Sequence, residues 1–158
     1  MRRADKFCKC AVNSVKQLLQ EHNLKDFKPE DLGVIVATRF GPHKTTFSFL
    51  DDILDYGDLE VSPTRFSHSV HNAAASYIAK QVGARGPVTT VTNFKNPFEH
   101  AQRLANSWIN ESRADIVLVG LIDELSEPMS FISKNIKDDI FKEYKDIAYF
   151  ELIKRSEK

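Results

Sequence analysis

Ser62–Leu104, SPTRFSHSVHNAAASYIAKQVGARGPVTTVTNFKNPFEHAQRL, is the stretch that decides the fold of this chain. Within it Val70, Ala73, Ala74, Tyr77, Ile78 and Val82 recur at helical spacing and predict a helix with a wide apolar stripe, ended by Gly83. The small side chains of Ala73–Ala75 admit a close neighbouring backbone. Val88–Thr92 is β-branched throughout and reads as a strand. Asn96-Pro97-Phe98-Glu99 then marks a helix start, with Asn as cap, Pro at the first helical position and an acid three residues after the cap. Phe98, Ala101, Leu104, Ala105, Trp108 and Ile109 give that helix its buried face.

The same alternation continues outward. Residues 5–21 read as a first helix, with Cys8, Ala11, Val12, Val15, Leu18 and Leu19 on one face and a stop near His22-Asn23, where Asn suits a left-handed cap. Residues two apart on a helix point to nearly opposite sides, so Cys8 is expected in the core and Cys10 in solvent, which argues against a metal-binding or redox Cys-x-Cys. Gly33–Thr38 is a short apolar run of the kind buried on both faces. Phe47–Leu54 predicts a short helix beside the loop Arg39-Phe40-Gly41-Pro42-His43, with Asp51, Asp52 and Asp55 as its solvated face. Ile116–Val119 is another buried strand, Phe131–Tyr144 an amphipathic helix, and Ile147–Ile153 the last strand. Helices alternating with strands predict an α/β fold, a mixed and mostly parallel sheet sandwiched between helices.

At 158 residues, 42% hydrophobic and 28% charged, the chain has the composition of one soluble globular domain spanning 1–158. Lys+Arg and Asp+Glu both number 22, so no general electrostatic pull toward nucleic acid or an anionic membrane is expected. No run approaches the length that crosses a bilayer, and a cytoplasmic location is the default. The glycines are scattered, with no G-x-G-x-x-G or Walker pattern, so no nucleotide and no other cofactor is expected. His68 and His71 have a spacing that can place two ligands on one helical face, yet no local Cys or carboxylate completes a zinc set, so no metal is expected. His100 reads as a surface or partly buried residue.

Taken in order, four elements resemble the N-terminal half of β-ketoacyl synthases, of the thiolase-like superfamily. Ser69, Val70, Asn72, Ala73 and Ala75 match that family's Ala-rich helix, and Gly83, Gly86 and Pro87 its G-x-x-G-P turn. Asp31–Thr38 with Gly41 matches an upstream strand and loop, Ala114–Gly120 with Asp123-Glu124 a downstream strand, and Ala148–Leu152 the strand that closes the N-terminal half. The family's nucleophile element falls on Thr92, Asn93, Phe94 and Lys95, and a slip of two residues either way finds no Cys.

The resemblance therefore implies a thiolase-like half-domain without the family's first strand or its second half, where two catalytic histidines reside. No residue is assigned as catalytic; Lys95 occupies the nucleophile slot, where the positive end of the following helix would lower its pKa if it were buried. The resemblance also implies that Val88, Thr89, Thr90, Val91 and Thr92 pair with a second copy across a dimer axis. The favoured function is a catalytically silent accessory protein of fatty-acid, polyketide or related acyl-chain synthesis, acting as a homodimer or with a complete ketosynthase. An acyl carrier protein is a further expected partner, with Lys80, Arg85, Lys95 and Arg103 as candidate contacts for its acidic surface. One rival is a small acyl-thioester-binding protein or enzyme using the Thr38–Lys44 and Asn93–Asn96 loops, with Arg39, Phe40, Asn93, Phe94 and Lys95 as binding residues. Another is a structural homodimer with no catalytic role.

Overall fold

The computed structural model describes residues 4–22, 28–57, 61–136 and 144–155. Four strands form one sheet: β1 (Leu32–Thr38), β2 (Val88–Thr92), β3 (Ile116–Asp123) and β4 (Ile147–Lys154), in the order β2-β1-β3-β4. β1 pairs in parallel with β2 and β3, with Val34 opposite Val88 and Leu32 opposite Ile116, while β3 and β4 run antiparallel. Among the described residues six α-helices accompany them: α1 (Lys6–Glu21), α2 (His43–Tyr56), α3 (Pro63–Ser69), α4 (Ala73–Val82), α5 (Pro97–Asn110) and α6 (Glu127–Asn135).

Strand alternation splits the core into two layers. Val34, Val36, Leu118 and Ile122 face α1 and α4, meeting Phe7, Val12, Val15, Ala74 and Ile78. Ile35, Ala37, Val117 and Val119 face α5, meeting Ala101, Ala105 and Trp108. All seven residues of β1 are buried, as the apolar run predicts. Asp5 caps α1 by accepting from the Cys8 backbone N–H at 2.9 Å.

Two glycines are required by close approach. Gly86 donates to the carbonyls of Pro29 and Leu32, and a side chain there would lie 2.6 Å from the Leu32 oxygen. Gly120 lies opposite Phe150 across the β3–β4 pair, and the Phe150 ring occupies the space that a Cβ would take.

Several local expectations are corrected. The helix read through Val70–Val82 is interrupted: Val70 is extended, Ser69 closes α3, and α4 starts only at Ala73. The Ser69 carbonyl accepts from the Thr46 hydroxyl at 2.9 Å, so tertiary contact fixes the break that spacing hides. α2 begins at His43, four residues earlier than the apolar pattern suggests, because Gly41 at φ +65° turns the chain into it. Asp52 is only half-buried and pairs with Arg65 instead of lying free in solvent like Asp51 and Asp55. α6 runs over Glu127–Asn135, starting four residues before the predicted span; the rest of that span through residue 143 lies outside the described residues except Ile136. Asn96 does precede α5, but it is left-handed at φ 51° and its side chain caps nothing; Glu99 pairs with Arg103. α1 ends at His22 in an extended conformation, and Asn23 lies outside the described residues. Cys8 is buried as expected, while Cys10 is half-buried against the α1/α4 core and not in open solvent.

Candidate functional site

The parallel strands β1, β2 and β3 all end on the same side of the sheet, where loops from adjacent strands can converge on a ligand. At the end of β1 the Thr38 hydroxyl donates to Asp123 Oδ1 at 2.8 Å and accepts from the Gly41 N–H at 2.8 Å. The Arg39 N–H donates to the same Oδ1 at 2.8 Å, and the Phe40 N–H approaches it at 3.5 Å. Asp123, at the end of β3, thus organises the whole turn after β1. Its other oxygen makes no hydrogen bond; Arg39 Nη1 lies 3.9 Å from it. Burial pushes the Asp123 carboxyl above its ordinary pKa, against the Arg39 and Thr38 contacts that favour the ionised form.

The next layer of the turn is polar and aromatic. His43 Nε2 lies 2.7 Å from Ser126 Oγ, and Nδ1 lies 3.3 Å from the Gly41 carbonyl. A tautomer with Nδ1–H donating to Gly41 and Nε2 accepting from Ser126 satisfies both. Burial lowers the His43 pKa, which favours that neutral ring. The Tyr144 hydroxyl donates to the Glu124 carbonyl at 2.5 Å, and its ring packs edge-on against Phe40 at 4.9 Å. Burial, reinforced by Asp123 and Glu124, pushes the Tyr144 phenol up, so it serves as a donor and not as an anion. A Ser–His contact has the form of a nucleophile and its base. Here both side chains are buried and neither lines a described cavity, so the pair fastens the start of α6 to the start of α2.

The residues singled out from sequence fall into two groups. Arg39 and Phe40 belong to the Asp123 turn and are half-buried. Asn93, Phe94 and Lys95 form an exposed loop in which the Asn93 side chain accepts from the Lys95 N–H at 3.0 Å. Phe40 and Phe94 meet with ring centroids 5.5 Å apart, so the two loops touch. Lys95 is exposed. Val88–Thr92 forms β2 as expected, hydrogen-bonded to β1 on one side and at the edge of the sheet on the other. The His68 ring, buried, meets the Tyr77 hydroxyl at 2.7 Å, whereas His71 is exposed and lies over Gly41; they do not converge. His100 is exposed. Among the described residues no group of His, Cys, Asp and Glu is arranged to hold a metal, and no helix is long and apolar enough to cross a membrane. Of the four basic residues named for a carrier contact, Arg85 and Arg103 are already paired with Glu30 and Glu99.

Sequence reasoning missed Ser126 and Tyr144, and it noticed Asp123 only as part of a motif. The available signal was a carboxylate at the end of an otherwise apolar strand, a residue type that is buried only when partnered.

A family profile described as the β-ketoacyl synthase N-terminal domain matches residues 1–135. The chain belongs to that family. Among curated proteins it is similar to 3-oxoacyl-[acyl-carrier-protein] synthase 2 of Synechocystis sp. (strain ATCC 27184 / PCC 6803 / Kazusa), 26% identical over 136 residues, which cover 82% of this chain and 32% of that protein. Among solved structures, the ishigamide ketosynthase/chain length factor superposes with a TM-score of 0.85 at 21% identity, covering 98% of this chain and 44% of the other. The ketosynthase ApeO in complex with its chain length factor ApeC, from Xenorhabdus doucetiae, contains a chain with a TM-score of 0.76 at 20% identity, covering 98% and 59%. The thiolase-like ketosynthase fold is therefore that of this chain, which spans about a third of its curated relative and three fifths or less of these structural neighbours.

Proposed function

We propose that this β-ketoacyl synthase family member is catalytically silent on its own and acts as a partner subunit in fatty-acid, polyketide or related acyl-chain synthesis. The observation that carries this reading is the loop after β2. The family resemblance puts a nucleophilic Cys there, and this chain presents Asn93, Phe94 and Lys95 to solvent on an otherwise family-like scaffold. The two cysteines lie on α1, and burial with the nearby Asp5 raises the Cys8 thiol far above its ordinary range, which disfavours a thiolate. Similarity to chains from ketosynthase/chain length factor assemblies supports a partner role. Incubating the protein with acyl and malonyl thioesters and weighing it intact should show no adduct; a stable adduct lost in Lys95→Ala would overturn the reading.

Pairing through β2 is the proposed mode of assembly. Val34 N–H donates to the Pro87 carbonyl and Asn93 N–H to Thr38, and parallel ladders alternate. Thr89 and Val91 therefore turn their N–H groups toward β1, and Thr90 turns its own outward, where a second strand could accept it. Leu54 at 82% exposure, Tyr56 at 65% and Phe66 at 56% add apolar surface on α2 and α3, a feature of interaction faces. Thr90→Pro removes the outward donor while leaving the β1 ladder intact. The wild type should scatter light as a dimer, alone or with a co-expressed ketosynthase, and the variant should dissociate; a folded variant that stays assembled would refute the interface.

A further inference from the structure

β4 ends the sheet on the side away from β2, and it pairs with β3 alone. One position beyond the ladder the Arg155 N–H donates to the Asp115 carbonyl at 2.9 Å, in the same register that sets Ile153 opposite Val117. Hydrogen-bonded pairs alternate along antiparallel strands, so Ala148, Phe150 and Leu152 turn their N–H and C=O groups outward. The Ala148 carbonyl accepts from the Ser14 hydroxyl at 3.1 Å. Among the described residues no backbone group pairs with the outward groups of Phe150 or Leu152. The edge runs for eight residues in continuous register, without the proline or bulge that commonly guards an edge strand. Ile147, Ala148, Leu152 and Ile153 are half-buried and Tyr149 is 50% exposed, whereas every residue of β3 except Leu121 is buried.

A cavity of about 190 Å³ lies between the first turns of α1 and the start of this strand. Phe7, Cys10, Ile122, Ile147 and Ala148 supply its apolar wall. Of the charged residues that complete it, Lys6 and Asp146 pair with each other at 3.5 Å, and Asp123 and Glu124 are buried. Side chains alternate along a strand, so every second residue of a strand laid on β4 faces α1. The one beside Ala148 meets the cavity. An apolar hole of about 150 Å³ can hold benzene, so there is room here for a leucine-sized or phenylalanine-sized group.

We propose that the outer edge of β4 accepts an extended segment of a partner polypeptide as a fifth strand, its main chain on Phe150 and Leu152 and one large apolar side chain in the cavity. Main-chain bonds along an edge supply affinity in such pairing, and a pocket for alternate side chains supplies selectivity. A second copy of this chain suits the edge less well. Pairing β4 with its own copy would set the two strands about 4.8 Å apart. Each α1 packs over its own β4, so the two helices would pass well inside the roughly 8–10 Å that helix packing needs. An extended segment brings no such helix with it. The inference is independent of pairing through β2, at the opposite edge of the sheet.

Fluorescence anisotropy of the full chain tests it with a labelled peptide as long as β4, in which valine and a central leucine alternate with threonine between terminal lysines. The peptide should bind saturably, and the same peptide N-methylated on its amides should not bind. Replacing its leucine with alanine should weaken binding about tenfold, the loss of one buried apolar side chain. Leu152→Pro removes an outward donor while leaving the β3 ladder intact, and should also weaken binding about tenfold. Cys10→Phe fills the cavity and should act in the same direction, with thermal midpoints confirming that each variant is folded. No saturable binding, equal affinity for the N-methylated peptide, or unchanged affinity in folded Leu152→Pro or Cys10→Phe would each overturn the proposal. So would binding that Thr90→Pro abolishes, which would move the site to β2, or a wild-type dimer that Leu152→Pro dissociates, which would put a second copy on β4.

Discussion

The turns after β1 and after β2 leave the same end of the sheet, yet they are built in opposite ways. After β1, the Thr38 hydroxyl and the Arg39 N–H converge on one buried carboxylate oxygen of Asp123, and His43, Ser126 and Tyr144 lock the next layer. After β2, Asn93, Phe94 and Lys95 are exposed, held by the Asn93 side chain on the Lys95 N–H, the Asn93 N–H on the Thr38 carbonyl and the Phe94 ring against Phe40, with no buried polar anchor. In this chain the rigid structure therefore lies at the β1/β3 end, while the position where the family resemblance expects chemistry carries little internal structure. A catalytic nucleophile needs the reverse, a reactive group held by its surroundings.

The largest effect should come from cutting the Asp123 anchor. Asp123→Ala leaves the Thr38 hydroxyl and the Arg39 N–H without their shared acceptor and should cost about 3–5 kcal/mol in urea unfolding, the range for breaking a buried charged network. Asp123→Asn keeps the Oδ1 acceptor and should cost much less; equal losses would mean that the charge, and not the acceptor, holds the turn. Next in size, Gly120→Ala forces a methyl into the Phe150 ring and should cost about 1–3 kcal/mol by overpacking. Combining it with Phe150→Ala should recover part of that loss, and strict additivity of the two would show that the ring relaxes away instead.

A smaller effect is pH-dependent. Burial lowers the His43 pKa in the folded state, so between the folded and unfolded values the unfolded chain binds more protons. The contribution is complete above the unfolded value of about 6.5 and is lost as pH falls from there toward the lowered folded value, with a slope of at most about 1.4 kcal/mol per pH unit. His43→Gln should flatten that acid limb in urea titrations; an unchanged slope would assign it to other groups. Smallest of all, Lys95→Ala should shift stability by no more than about 0.5 kcal/mol, as expected of an exposed side chain. A larger loss would show that the loop after β2 is held more firmly than its contacts indicate.

Much of this contrast was legible in the sequence on the β2 side and little on the β1 side. The strand Val88–Thr92 and the start of α5 at Pro97 follow from local composition, and so does the exposed Asn93–Asn96 link between them. The buried network depends on partners 83 to 101 positions apart, such as His43 with Ser126 and Tyr144, and no local pattern encodes that meeting. The same limit explains the helix read through Val70: its apolar spacing is genuine, but contact between Thr46 and Ser69 breaks the helix there. Phe40 and Phe94 were singled out for a shared pocket and do touch, although neither lines either described cavity.

The strand order β2-β1-β3-β4 bears on how quickly the chain can assemble. β3 and β4 meet first in sequence at Asp123 and Ile147, but β1 must find both parallel neighbours across long crossovers. Topologies with such distant pairings close more slowly than ones built from local contacts. While β1 waits, the β-branched ribbon Val88–Thr92 is available to any other extended chain, and intermolecular pairing competes with folding. For a newly made chain, protein concentration during synthesis would then govern yield as much as final stability does.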